Sequence, residues 1–424
     1  MHATIAIVTF LTVIGLIVSD RLNSTVAALL GTLVLIYTGV MSLPQAAEHV
    51  AAAVSTLTLI LGAMILVRVL QLTQIFNWLA KQLLIASRGK GKRLLIAVVL
   101  LTALISSVLP NATAVLLLGP IMLALGGFLG LEAGPLIVLV VLSANTGGML
   151  TLVGDPATYI VSSFAGINFF TYLKSFAPAG IIALLALLAV LPWKWRKLWK
   201  QSIRTGDIFQ DTPLPHWPVL AVFSIIVCGV LVFFVIGETL PVPISPDVVT
   251  MTGATLALFF AERFRLGSVN DILAGIDWNT LLFFACTFVL IGGLQDAGVL
   301  ATTAELLKGS IESNPFFAKI LILWGVALIS CITPNIPLLA TLAPILQAIS
   351  PEQSALPLYA ALIFGGTLGG NATLLGASAN IVGGGIAAQA GQNISFKVFL
   401  SYGLPVAIIQ LTAITLWLLL YTIR

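Results

Sequence analysis

Charge is what this sequence has least of. Asp, Glu, Lys and Arg make up 8% of its 424 residues, against about 25% in soluble proteins. So few charges cannot cover a water-exposed surface. This composition excludes a soluble domain, a disordered chain and a nucleic-acid binder. Cysteine is as scarce: Cys228, Cys286 and Cys331 stand in apolar runs without paired spacing. They exclude a disulfide scaffold and read as small core residues. His2, His49 and His216 fall in loops or at the ends of apolar runs, so no proton relay is assigned to them. There is no His-Glu-x-x-His, and no cysteine or serine has a histidine within a span to activate it. An intramembrane enzyme is therefore not expected.

What is present is apolar: 59% of the residues, with a mean hydropathy of +1.12. This is the composition of an all-α polytopic membrane protein. Apolar runs long enough to cross a bilayer lie near 3–19, 24–41, 52–72, 135–164, 176–193, 216–237, 247–262, 278–295, 355–385 and 400–421. Residues 3–19 read as the first span rather than a cleaved signal, since no charged segment precedes them. Two further apolar blocks, 94–129 and 316–350, are broken in the middle by proline and asparagine. A weakly amphipathic stretch, 76–86, is expected to lie along the interface.

Cations are held on the cytoplasmic side. If each broken block enters and leaves by one face, 14 of the 19 cations fall inside and four outside, with Arg68 within a span. Both termini are then outside, and the Trp- and Lys-rich linker 194–215 is cytoplasmic. Arg68 snorkels, pairs, or takes part in gating or anion binding.

The two halves, 1–193 and 216–424, match at an offset of 222 to 224 residues. Pro110-Asn111 answers Pro334-Asn335, and Leu70-Gln71 answers Leu294-Gln295. Residues Gly147 to Gly154 share five of eight identities with Gly369 to Gly376. Each half has five spans plus one broken block. The odd number predicts two inverted repeats with one re-entrant hairpin each and discontinuous helices at the midplane, the plan of many secondary transporters.

The breaks carry the polar residues. Backbone that leaves the helix inside hydrocarbon exposes groups costing several kcal/mol each, so a break must be buried or line a wet cavity. At the hairpin tips proline stops the incoming helix and Asn111 or Asn335 suits the N-cap of the outgoing one. Each tip aims a helix N-terminus, with roughly half a positive charge, into the membrane. The other two breaks are Ser143-Ala144-Asn145-Thr146-Gly147-Gly148 with Gly154-Asp155-Pro156, and Gly369-Gly370-Asn371-Ala372-Thr373 with Gly376-Ala377-Ser378-Ala379-Asn380. Asp155 is expected to cap a resumed half-helix, with Ser378 in the corresponding place. As the one acid deep in a span it is also a functional candidate. The candidate substrate and ion ligands are Asn111, Thr113, Ser143, Asn145, Thr146, Gly148, Thr151, Asp155, Asn335, Gly370, Asn371, Thr373, Ser378 and Asn380.

From Thr25-Val26-Ala27-Ala28-Leu29-Leu30-Gly31 through Ser143–Gly148 and Gly154-Asp155-Pro156 to Gly376–Asn380, nearly the whole chain resembles the ion transporter superfamily. The likeness is to ArsB/NhaD-type permeases, with P protein-like and citrate-transporter-like domains. The resemblance implies a scaffold domain, a mobile transport domain with two re-entrant hairpins, a homodimer, and elevator-type alternating access. It also implies that the tips and breaks line the substrate and ion sites. Relatives usually place Asp before the tip asparagine, where Pro110 and Pro334 stand here. They often continue Gly-Asp-Pro with Pro-Asn, where Ala157-Thr158 follow. The missing carboxylates weaken cation antiport and favour a small anion: chloride, an oxyanion or a small carboxylate. Na⁺ held by asparagines and carbonyls, or H⁺, is the coupling ion such a site allows; no other cofactor is expected. The alternatives are a Na⁺/H⁺ antiporter using Asp155, an efflux permease for arsenite or silicic acid, and an anion channel.

Overall fold

The computed structural model describes residues 2–19, 22–75, 78, 82, 85, 87–129, 134–201, 217–237, 240–349, 355–389, 391–392 and 394–421. The described residues form helices and connections. In chain order the helices are α1 (His2–Val18), α2 (Ser24–Tyr37), α3 (Leu43–Ala52), α4 (Val54–Leu72), α5 (Gly91–Ser106), α6 (Asn111–Leu129) and α7 (Gly134–Gly148). Next come α8 (Pro156–Phe164), α9 (Phe169–Ser175), α10 (Ala177–Lys194), α11 (Arg196–Lys200), α12 (Trp217–Ile236), α13 (Pro246–Arg263) and α14 (Val269–Ala274). The last are α15 (Trp278–Asp296), α16 (Val299–Ser313), α17 (Pro315–Ser330), α18 (Asn335–Ile349), α19 (Leu356–Gly370), α20 (Ser378–Gln389) and α21 (Phe396–Tyr421). Most of the interfacial stretch 76–86, and the linker from 202 onward, lie outside the described residues.

Among the described residues, five helices are long and apolar enough to cross a membrane: α4, α10, α12, α15 and α21. They differ in burial: α15 is buried all round over Val289 to Leu294, whereas α12 buries a single stripe. In α12 the buried residues are Leu220, Phe223, Ile226, Val230 and Phe234, a single face at helical spacing. Ile225 and Val232 on the other side are 71% and 52% exposed. An apolar face of that kind is at rest only against lipid.

The helices α7 and α19 are built differently. Each has 15 residues, hence about 22 Å of length, too short for a hydrocarbon core of about 30 Å. Every residue from Leu136 to Gly148, and from Leu358 to Gly370, is buried. Each helix ends at its glycine pair, the chain runs non-helically for seven or so residues, and a half-helix, α8 or α20, follows.

The two breaks are held by the same contacts. Ser106 Oγ donates to Ala144 O at 2.7 Å, and Ser330 Oγ to Gly366 O at 2.6 Å. Thr151 Oγ1 donates to Ser107 O and accepts Val153 N–H; Thr373 Oγ1 donates to Cys331 O and accepts Leu375 N–H. Glycine is required where the backbones meet: a Cβ on Gly147 would stand 2.4 Å from Ala103 Cα, and one on Gly369 would stand 2.5 Å from Ala327 Cα. The half-helices are exchanged between halves. The helix α8 packs against α18 of the second half, and α20 packs against α6 and α7 of the first.

One expectation, the burial of Cys228, is corrected, and three further details emerge. Trp195 is not an interfacial tryptophan: it is buried, its Nε1 donates to Pro135 O at 2.8 Å, and its ring tilts against Tyr402. Cys228 is exposed on α12 instead of buried in a core. Asp296, the exposed last residue of α15, accepts a 2.9 Å contact from His49 Nε2. Residues 299–313, which have no long apolar run, form α16, entered through the left-handed Gly298.

The close approach at the breaks is open to test. A Cβ on Gly154 would lie 2.2 Å from Ser106 O and 2.8 Å from Gly148 Cα. Gly154→Ala should cost about 1–3 kcal/mol as an overpacking change and lower the thermal-aggregation midpoint in detergent. Gly229→Ala, with nothing within 4 Å, should leave the midpoint unchanged. Equal midpoints for the two variants would contradict the packing described.

Candidate functional site

The two Pro-Asn breaks, the tips at 110–113 and 334–337, open on one cavity of about 350 Å³. Its walls are the first-tip residues Pro110 to Thr113, the second-tip residues Pro334 to Pro337, Pro156, and Ser378 with Ile381 and Val382. The remaining walls come from α2 (Ser24, Thr25), α4 (Met64, Arg68, Gln71) and the segment Gly275 to Phe284. Four helices, α6, α8, α18 and α20, begin at this cavity. Their positive ends face the same space, while first-turn N–H groups are already met: Ala112 by Asn111 Oδ1, Ala157 by Asp155 and Asn335 by Gly376 O. Asp277 is the one acid on the wall, and both its oxygens are engaged by Thr280, through N–H at 3.2 Å and Oγ1 at 2.5 Å.

The tips differ in detail from the expected capping. Pro110, not Asn111, occupies the cap position, since Pro110 O accepts Thr113 N–H at 2.9 Å and Ala114 N–H at 3.1 Å. Asn111 and Asn335 are the first helical residues. This frees their amides to reach sideways. Asp155 does cap α8, accepting Ala157 N–H at 3.1 Å. Its counterpart at offset 222 is Ala377, and Ser378 is the first residue of α20 and not its cap.

Behind the cavity wall lies a buried amide network. Asn111 Nδ2 donates to Asn145 Oδ1 at 3.0 Å. Asn145 Nδ2 in turn donates to Asn371 Oδ1 at 2.9 Å and Asn380 Oδ1 at 2.8 Å. Asn371 Nδ2 donates to Gln410 Oε1 at 3.0 Å, and Gln410 Nε2 to Thr146 Oγ1 at 2.9 Å and Ala183 O at 3.0 Å. Asn380 Nδ2 also satisfies two carbonyls of the second break, Gly370 O at 2.8 Å and Thr373 O at 2.7 Å. Gly376 O accepts Asn335 N–H at 3.1 Å. Each amide thus accepts from one neighbour and donates to the next. Leaving one such group unpaired costs about 1–3 kcal/mol.

The structure therefore divides the candidate residues. Asn111, Thr113, Asn335 and Ser378 line the cavity. Asn145, Thr146, Asn371 and Asn380 form the network behind it. Gly148 and Gly370 bring the breaks together, with Gly154 O and Gly376 O 3.0 and 2.7 Å from where their Cβ atoms would be. Thr151 and Thr373 tie the breaks to the tips, and Ser143 Oγ bonds Leu139 O of its own helix at 2.7 Å. Asp155 is fully buried and off the cavity, its second oxygen accepting Thr367 Oγ1 at 3.1 Å. Gln410, Thr367, Gln71 and Gly275 are additions to the set. Gln410 had a readable signal: it is a buried glutamine in the middle of a 26-residue apolar helix.

The two tips are not equivalent. The residue opposite Asn145 at offset 222 is Thr367, which is shorter and has given its hydroxyl to Asp155. Asn335, unlike Asn111, finds no acceptor: its Nδ2 is buried without a hydrogen-bond partner at the cavity wall.

A family model described as citrate transporter, CitMHS, matches residues 14–365. An uncharacterized transporter of Synechocystis sp. is 40% identical over 426 residues, covering 96% of this chain and 95% of that protein. The 46 kDa membrane protein of Mycobacterium leprae is 34% identical over 432 residues, covering 98% of each. The human P protein is 29% identical over 497 residues; the match takes in 97% of this chain but 59% of that protein. Among solved structures, the YdaH transporter of Alcanivorax borkumensis is similar in fold, with a TM-score of 0.61, 15% identity, and coverage of 88% of this chain and 86% of that one.

The network gives a directional test. Asn145→Asp is nearly isosteric but removes the donor that serves Asn371 and Asn380, and sets oxygen against oxygen at both contacts. Losses of about 1–3 kcal/mol per unpaired group should lower the thermal midpoint well below that of the parent protein. An unchanged midpoint would mean that the amide chain carries no stability.

Proposed function

The chain belongs to the citrate transporter family, CitMHS, and is a membrane transporter; from that premise we propose that it moves a small anion, with the cavity between the hairpin tips as the substrate site. The observation that carries this reading is the meeting of helix N-termini at one cavity whose wall holds an unpartnered amide donor, Asn335 Nδ2, and whose one acid is already engaged. Such a site offers an amide donor and one cation, Arg68, and its one acid among the described residues, Asp277, serves as the N-cap of α15. A small carboxylate, an oxyanion or chloride fits this chemistry, and the family description favours the carboxylate. The committed oxygens of Asp155, one to Ala157 N–H and one to Thr367, support a capping role for it rather than cation exchange.

The same proposal includes the architecture that transport requires. The halves act as inverted repeats, the segments 94–129 and 316–350 as re-entrant hairpins, and the transport domain moves as an elevator within a homodimer. The matched contacts at the two breaks, and the exchange of α8 and α20 between halves, support a symmetric pair of this kind. The cavity lies toward the ends of α4 and α15 that adjoin residues 73–93 and 263–278. If those cation-rich segments are cytoplasmic, with both termini outside, the cavity faces the cytoplasm. Sodium or proton coupling would appear as dependence of the flux on the respective gradient.

Flux into proteoliposomes tests the reading, with radiolabelled chloride, sulfate, succinate and citrate as probes. Loss of one hydrogen bond to a charged ligand is worth about 1.5–3 kcal/mol, or about 10–100-fold. Asn335→Ala should therefore cut anion flux by at least about tenfold, and Asn335→Asp should abolish it by setting a negative charge against the anion. Asp155→Asn should retain anion flux. Full flux in both Asn111→Ala and Asn335→Ala would remove the substrate from this cavity.

A further inference from the structure

One charged side chain on the cavity wall takes no part in the hydrogen bonding that holds the fold. Arg68, on α4, is the only cation lining the cavity among the described residues. Its Nη1 donates to Gln71 Oε1 at 3.1 Å, one turn along the same helix, and its Nε is buried without a partner. No carboxylate pairs with it among the described residues; the ion pair found there joins His49 and Asp296. A guanidinium does not give up its proton, so Arg68 cannot relieve its burial by becoming neutral. Charge in a membrane-embedded site is costly unless paired.

Its orientation is set from two sides. Gln71 holds the Nη1 corner. The opposite edge, Nε with Nη2, lies over Gly275: a Cβ there would stand 2.4 Å from Nε and 2.8 Å from Nη2. Only glycine lets the backbone approach that edge so closely; any side chain at 275 would collide with it. Two parallel N–H groups on one edge match the two oxygens of a carboxylate, a geometry that an ammonium cannot reproduce.

We propose that Arg68 is the specificity-determining residue of the cavity, binding a planar carboxylate through its Nε edge, with Gln71 and Gly275 as its positioning residues. This inference rests on the reading of the cavity as the substrate site. The second oxygen-seeking donor is Asn335 Nδ2 on the facing tip, so a carboxylate held by Arg68 and reaching the second tip completes both unpaired donors. A halide would profit from the charge of Arg68 but not from its shape.

The test uses the purified full chain, titrated calorimetrically with succinate, citrate and chloride at matched ionic strength. Arg68→Gln should weaken carboxylate binding by more than about tenfold. Arg68→Lys, which restores charge without the fork, should recover chloride binding relative to Arg68→Gln but not carboxylate binding. Gly275→Ala, which leaves the charge and covers the edge, should weaken carboxylates by about tenfold and chloride little. A uniform loss for all three anions would be a structural effect and would overturn the assignment. Parental carboxylate affinity in Arg68→Lys or Gly275→Ala would also overturn it. If Asn335→Ala loses flux while Arg68→Gln binds carboxylates as the parent does, the cavity stands and Arg68 falls. If the parent chain binds no carboxylate while chloride or sulfate flux still depends on Asn335, the inference fails and the cavity again stands.

Discussion

Peptide groups that leave a helix within hydrocarbon have no water to turn to, and the structure is organised around meeting that demand. Four interruptions occur, at Pro110, Gly148, Pro334 and Gly370. Their N–H and C=O groups are met by hydroxyls of Ser106, Thr151, Ser330 and Thr373, by the amide of Asn380, and by backbone of the neighbouring break. Partners so close in space need backbones in contact, which accounts for glycine at 147, 154, 369 and 376. Polar side chains and glycines in the middle of the membrane are thus two sides of one requirement. What is left over after the requirement is met, chiefly the helix N-termini, faces the cavity.

Exchange of the half-helices makes the two tips neighbours. The helix α8 packs on α18 and α20 on α6, so each half-helix is buried against the other half although the hydrogen bonds at each break are made within its own half. The cross-links repeat with altered chemistry: Asn145 reaches across to Asn380, and the equivalent Thr367 reaches across to Asp155. The alteration has a consequence at the cavity. A long amide at 145 has an oxygen to spare for Asn111, whereas the short hydroxyl at 367 is spent on a carboxylate. One tip is locked into the network and the other keeps a donor free. The matched contacts at the two breaks supply the frame, and the difference between Asn145 and Thr367 leaves the unpaired group on which ligand binding would draw.

Membership of the citrate transporter family and a YdaH-like fold agree with this frame, yet neither says which ligand fills it. The cavity holds Arg68 without a carboxylate partner and Asp277 with both oxygens engaged, so the balance of unsatisfied groups is positive.

Much was readable without coordinates. Scarcity of charge required a membrane protein, and glycine, proline and asparagine in matched places required interrupted helices, because only such residues tolerate a break there. The breaks occur at those places. Periodicity did not reveal α16, whose residues have too little apolar character, nor that Asn111 and Asn335 lie one residue inside their helices, because cap position depends on the hydrogen bond that Pro110 O makes. Local pattern therefore decided where the helices stop and which residues are polar. Folding alone decided which of those residues meet: that Asn145 touches Asn371 and Asn380 more than 200 positions away, that Gln410 completes the chain, that Asp155 turns away from the cavity, and that Arg68 lies over Gly275. Those are contacts between elements distant in sequence, and their partners are selected by helix packing, which no short-range spacing encodes.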